Sequence, residues 1–229
     1  MRTAPRVVDE PEPNDTAVVA AVLAGDVRRF AVLVRRHNQT LFRTCRAILR
    51  DDTEAEDAVQ AAWIAGYRGL RGFRGDARFR TWMTRIAVHE ACARTAQRKR
   101  LATVALEDVP MRSDDDPEQA VSAQEAGRVL ERLIDVLPEG LRHVLVLRDV
   151  VELDTAETAQ CLGIGEEAVR VRLHRARAAV AHALGARGGG ALEAIASDVW
   201  RFDGDRCARV LARVMAAIDG HGAGDGARR

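Results

Sequence analysis

The chain has 229 residues, 47% of them hydrophobic and 30% charged, which is long enough for one large domain or two small ones with modest cores, and two is the better reading. Aromatic residues make up only 4%, and long Ala, Leu, Val and Arg stretches favour helices over sheets, so an all-α protein is expected. The net charge of +1 hides strong segregation: residues 71–100 hold nine Lys/Arg against Asp76 and Glu90, residues 101–120 hold six acids against Arg112, and residues 51–60 hold five acids and no base.

Residues 1–15 are Pro-rich and acidic, which marks a disordered lead-in without the apolar core of a signal peptide. No stretch approaches the roughly 18 apolar residues of a membrane span, so no membrane insertion and a cytoplasmic location are expected. From 16 to 100 apolar residues recur at three- and four-residue intervals, interrupted at GLRGFRGD (69–76). This predicts a first helical domain with an internal loop. Within it DDTEAEDAVQAAWIAGYRGL starts at a cap on Asp51 or Asp52 and turns Ala55, Val59, Ala62 and Trp63 inward. Thr53, Glu56, Asp57, Gln60 and Ile64 gather on the opposite face, an acidic stripe suited to a basic helix or simply to solvent. Farther on, Phe79, Trp82, Met83, Ile86 and Ala93 form a buried face, with Arg78, Arg80, Arg85, Arg94, Arg98, Lys99 and Arg100 around it.

Residues 101–118 lose periodicity and gather Pro and Asp, which predicts an acidic linker. A second helical domain follows from 119 to 184, broken at Pro138 and at Gly163–Gly165. Its DTAETAQCLGIGEEAVRVRLHRARAAV segment carries a capping box from Asp154 to Glu157, an inner face of Ala156, Ala159 and Leu162, and a turn glycine at Gly163. The next helix aligns Val169, Leu173, Ala176 and Val180 in one stripe at about 100° per residue. This is a helix-turn-helix pattern. Glu167, Val171 and His174 point away from the stripe, flanked by Arg172 and Arg175 on one side and Arg170 and Arg177 on the other. Such a ridge can clamp phosphates and reach base edges, whereas the plainer reading is a solvated helix of a helical hairpin. Residues 185–229 read as a flexible GARGGG followed by an extension. There Leu192, Ile195 and Val199, then Val210, Leu211, Val214 and Ile218, predict two short amphipathic helices; the plain expectation is that they pack on the second domain, the sharper one that they regulate.

Four separated cysteines, Cys45, Cys92, Cys161 and Cys207, fit neither a disulfide framework nor a zinc site. His89-Glu90 opens like a metalloprotease HExxH, yet the fifth position is Ala93, so the second ligand is missing. Cys92 sits among cations that could lower a thiol's pKa, although a buried, inert cysteine is the plainer expectation. No phosphate-binding glycine loop or catalytic triad occurs, so neither an enzyme nor a cofactor is expected.

The order DDTEAEDAVQ, GFRGDARFRTWMTRIA, a basic run, an acidic linker, LPEGLRHVLVLRDV and a helix-turn-helix closely resembles extracytoplasmic-function (ECF) sigma factors over residues 20–184. The resemblance implies two small helical domains, sigma region 2 and region 4, and partnership with core RNA polymerase, promoter DNA and, as a candidate, an anti-sigma factor. It implies that Thr53, Glu56, Asp57, Gln60 and Ile64 meet the polymerase. It places the −10 element's melted strand on Arg71, Phe73, Arg74, Asp76, Arg78, Arg80, Trp82, Arg85, His89, Arg94, Arg98 and Lys99, with an unstacked base near Phe73 to Asp76. The physics agrees, since melted strands are held by stacking and cationic grooves. The −35 duplex would be read by Glu167, Ala168, Arg170, Val171, Arg172, His174, Arg175 and Arg177. Asp114, Asp115 and Asp116 would thread toward the polymerase's inner channels. His89 departs from the Asn often found there and lies at the border of the buried face. The rival is a conventional helix-turn-helix regulator with a sensing or dimerising first domain.

Overall fold

The computed structural model describes residues 13–104, 123–184, 199–202 and 204–225. The expected lead-in to residue 12, the linker acids Asp114 to Asp116, the GARGGG stretch and the helix around Leu192 and Ile195 lie outside the described residues. Among the described residues the elements are helices and turns, and no helix is long and apolar enough to cross a membrane.

Helix α1 (Asp15–Leu23) starts where the Asn14 side chain accepts the Ala17 N–H at 2.8 Å, and it buries Val18, Val19 and Val22. Helix α2 (Phe30–Leu49) ends on Arg50 at φ 61°, and α3 (Asp52–Gly69) starts at Asp51, whose carboxylate accepts the Glu54 N–H at 2.7 Å. Helix α4 (Phe79–Val104) follows the loop and runs four residues past the start of the segment read as linker. These helices close on Phe30, Leu33, Leu41, Phe42, Trp63, Leu70 and Met83, all essentially inaccessible to water. Trp63 stands edge-on to Phe30 at 5.6 Å and donates its indole N–H to Asn38 Oδ1 at 2.9 Å, so the buried amide is matched to a buried donor. Helices α3 and α4 approach closely at Gly66, where an added Cβ would stand 2.5 Å from Met83 Sδ. The buried face of α4 is Phe79, Met83, Thr84, Ala87, Val88 and Ala91. Ala93 is exposed, contrary to the sequence reading, and Trp82 and Ile86 are half-buried.

The second unit comprises α5 (Ala123–Val136), α6 (Glu139–Leu145), α7 (Thr155–Leu162) and α8 (Glu166–Leu184). Pro138 separates α5 from α6, because it cannot donate into a preceding turn but fits a helix start. The chain widens to π geometry over Val146–Val150, where the Val151 N–H reaches Val146 O at 2.8 Å. Asp154 and Glu157 form the reciprocal capping box, with bonds of 2.8 and 2.9 Å. Gly163 supplies the left-handed turn at φ 64°. Val169, Leu173, Ala176 and Val180 are buried as one stripe against a core that includes Leu130, Ile134, Leu145 and Leu153. The inner face of α7 is Thr158, Ala159 and Cys161, while Ala156 is exposed.

The units touch through polar staples. Arg142 is buried, donating from Nε to Ala47 O at 2.6 Å and from Nη1 to Leu137 O at 2.7 Å. Arg46 makes a two-pronged pair with Asp135 at 3.0 and 2.8 Å. Helix α7 lies on the first half of α4, where the Thr81 hydroxyl donates to Glu157 and Arg80 donates to Glu152 O at 3.1 Å. Beyond the turn at 199–202, α9 (Gly204–Asp225) is one long helix with Val210, Val214 and Ile218 buried. It packs on α2 and α3 of the first unit, which corrects for this helix the expectation that the extension packs on the second domain, although the Trp200 N–H just before it donates to Glu131 of α5 at 2.7 Å.

Candidate docking and nucleic-acid surfaces

The outward stripe of α3 places Thr53 and Asp57 in solvent and leaves Glu56, Gln60 and Ile64 half-buried. Asp51 at the cap and Asp52 and Glu54 in the first turn all favour this helix's positive N-terminal end. The acids do not stand alone. Arg206 of α9 meets Glu56 at 2.7 Å and Asp52 at 3.1 Å, Arg209 meets Glu56 at 3.7 Å, and Arg213 approaches Asp57 at 4.0 Å. Sequence reasoning identified the stripe and missed its cover. The only available signal was that Arg206, Arg209 and Arg213 share one helical edge.

On α4 and its preceding loop, Arg71, Arg74, Asp76, Arg78, Arg85 and His89 are exposed. Phe73 is half-buried, standing edge-on to Phe79 at 5.5 Å and tilted against Trp82 at 5.4 Å. The three rings form a small aromatic floor beside the exposed arginines of the loop. Farther along α4, Arg94 donates to Asp57 O at 3.2 Å, Arg98 pairs with Glu54 at 3.3 Å and Lys99 with Glu139 at 3.3 Å. The acidic stripe of α3 and the cations of α4 therefore border one another. Arg80 is taken up by Glu152 O, which separates it from the exposed loop arginines.

The ridge of α8 faces water. Glu167, Arg170, Val171, His174, Arg175 and Arg177 are exposed, and Ala168 is half-buried. Arg172 is also half-buried, with its guanidinium over Gly140, so one flank of the ridge is partly tied to α6. Arg170 pairs with Glu167 at 3.0 Å and Glu166 at 3.5 Å, and Arg177 grips Asp149 at 2.7 and 2.9 Å.

Burial sets the ionisation of the groups beneath these surfaces. His143, buried and then opposed by Arg142, is pushed down to about 4, and its Nε2 has no partner among the described residues. His37 is also lowered by burial, against the pull of Asp15 at 2.7 Å. Burial raises the thiols of Cys45 and Cys161, the latter to about 12. Cys92 is exposed, contrary to the sequence reading, yet protein crowding its sulfur, followed by Glu139, raises rather than lowers its thiol. It lacks the character of an activated nucleophile.

An acidic helix stripe, a cationic aromatic-floored loop and a helix-turn-helix together define a DNA-binding transcription protein. Residues 33–101 match the family described as Sigma-70 region 2, and residues 127–180 match Sigma-70, region 4. ECF RNA polymerase sigma factor SigM of Mycobacterium tuberculosis is 35% identical over 174 residues, covering 76% of this chain and 86% of that protein. Among solved structures, CnrH in complex with the cytosolic domain of CnrY aligns with TM-score 0.53 and 29% identity, over 74% of this chain and 96% of that one. The sigma factor RpoE in complex with the anti-sigma factor NepR, from Bartonella quintana, shares the fold at TM-score 0.53 and 16% identity, over 69% and 96% of the two chains. The chain belongs to the sigma-70 family, in its ECF group. It binds core RNA polymerase and directs promoter-specific transcription initiation. A region 2 match across the first unit leaves the rival reading, a sensor domain joined to a helix-turn-helix, without support.

Proposed function

We propose that this sigma factor divides its contacts among three surfaces and performs no chemistry of its own. The outward stripe of α3, centred on Glu56 and Asp57, docks on a basic helical element of the polymerase. The loop from Arg71 to Arg78 and the exposed edge of α4 receive the melted −10 strand, with the Phe73–Phe79–Trp82 floor supporting an unstacked base and arginines neutralising phosphates. The ridge of α8 reads the −35 duplex, with Arg170 and Arg175 on phosphates or guanine edges and residues near Glu167 at the helix start.

The observation that carries this reading is the adjacency of acids and cations on one helical body, where Arg98 of α4 meets Glu54 of α3 at 3.3 Å. A protein that couples polymerase binding to strand capture needs those two surfaces side by side. Work alongside polymerase supports a cytoplasmic location. CnrH, 29% identical, was solved in complex with the cytosolic domain of CnrY, which supports a further protein partner here, with an anti-sigma factor as the candidate.

Asp57→Arg is the direct test of the polymerase dock. A reversed charge at a desolvated contact is expected to weaken binding to core polymerase by about 2–3 kcal/mol. Titration of labelled core enzyme measures it, and parental affinity would refute the assignment to α3.

A further inference from the structure

Helix α9 lies on the surface just assigned to polymerase. Its Arg206, Arg209 and Arg213 fall at i, i+3 and i+7, so they share one edge, and they reach Asp52, Glu56 and Asp57 in ascending order along both helices. Glu56 is the best covered of these acids, with its side chain 17% exposed. On the adjoining edge Val210, Val214 and Ile218 are fully buried against the first unit.

The turn before α9 is built into α2 with equal care. Gln39 donates to Trp200 O at 2.7 Å and accepts the Phe202 N–H at 2.6 Å, while Arg43 donates to Val199 O at 2.8 Å. Phe202 stacks on Phe42 at 4.3 Å and 14°, and the Arg206 guanidinium lies 4.7 Å from the Phe42 ring. The apolar and stacking contacts hold the segment, since exposed ion pairs alone contribute little. The arginines set its register over the acids.

We infer that residues 199–225 act as a built-in competitor for the polymerase-docking stripe of α3, an inference that rests on the docking role proposed above. A basic helix of the polymerase and α9 make the same demand on Glu56, and one carboxylate cannot serve both in full. The chain therefore exists in a covered form, which is the form described here, and an uncovered form that binds polymerase. Apparent affinity is reduced by the fraction that is covered, and anything that lifts α9 raises it.

The test compares purified full-length variants for binding to labelled core polymerase. R206E/R209E/R213E sets like charges against Asp52, Glu56 and Asp57 and is expected to bind about ten-fold more tightly, equivalent to about 1.4 kcal/mol. Because Arg206 also stacks on Phe42, R209E/R213E provides a milder control; these two side chains are 53% and 56% exposed, and a rise of about three-fold is expected. Unchanged or weaker binding by both variants overturns the inference. Glu56→Ala in the R209E/R213E background separates the two readings. If it abolishes binding while the arginine changes have no effect, the dock stands and the covering role falls. If it leaves binding intact, the dock itself is wrong and the covering role falls with it.

Discussion

Of the three surfaces proposed to meet macromolecular partners, the folded chain treats two, the stripe of α3 and the ridge of α8, in opposite ways. The acidic stripe of α3 is met by arginines some 150 residues away in sequence, carried on a helix with its own buried apolar edge. On the ridge of α8, Arg170 meets Glu166 and Glu167, four and three residues back, and Arg177 meets Asp149 at the end of the preceding π turn. The difference follows from what each surface offers. A stripe of carboxylates bordered by apolar side chains suits an amphipathic basic helix, so the chain can supply one and bury area with it. The arginines of α8 are themselves exposed and paired with acids, and phosphates can replace those acids one pair at a time. Under the proposed assignments, tertiary docking of α9 governs access to polymerase, whereas side-chain ion pairs govern access to the duplex.

The sharpest way to break this contrast is to remove the anchor of α9. Phe202→Ala deletes a buried stacked ring and should cost about 3 kcal/mol of stability, read as a lower melting temperature. Duplex affinity through α8 should be unaffected. Polymerase affinity should rise as α9 lifts, and an equal change at both surfaces would mean that they are not independently controlled.

Acid offers a second route, acting on the unit that carries α8. The folded-state pKa of His143 lies at about 4 against an ordinary 6.5, so the unfolded chain takes up the proton first. Its contribution is full above pH 6.5 and is lost as pH falls toward 4, by about 3 kcal/mol in all. Denaturant unfolding of the parent and of His143→Leu across this range should show the parent losing that much more stability than the variant. Parallel curves would remove His143 as the cause.

The smallest expected effect concerns the ridge itself. Arg170→Ala should cost about 1–3 kcal/mol in binding a −35 duplex and relax preference at one base position. Arg172→Ala should cost less, because its guanidinium is spent partly over Gly140. Both are measurable by binding profiles over a promoter library. A larger loss for Arg172 would place the duplex on the other flank.

Local chemistry was readable directly from the residues. The Asp154–Glu157 capping box, the Gly163 turn and the Val169–Val180 stripe each depend on neighbours within one or two helical turns, so spacing alone located them. Alanine positions were less legible: Ala93 and Ala156 were assigned inward and are exposed, because a methyl group contributes little to the face preference of a helix. The cysteines show the same limit, since Cys92 lies near cations in sequence while Glu139 and the surrounding protein dominate in space. The placement of α9 could not be read at all. Its periodicity announced an amphipathic helix, but Phe42, Gln39 and Glu56 were hidden partners until the chain folded back on them.

Hydrogen exchange of the full chain, alone and saturated with core RNA polymerase, addresses the coupling of these elements most directly. Amides of α9 should be protected in the free protein and exchange faster in the complex, while α3 stays protected beneath its new partner. Protection of α9 that persists unchanged at saturation would show that polymerase docks without displacing it.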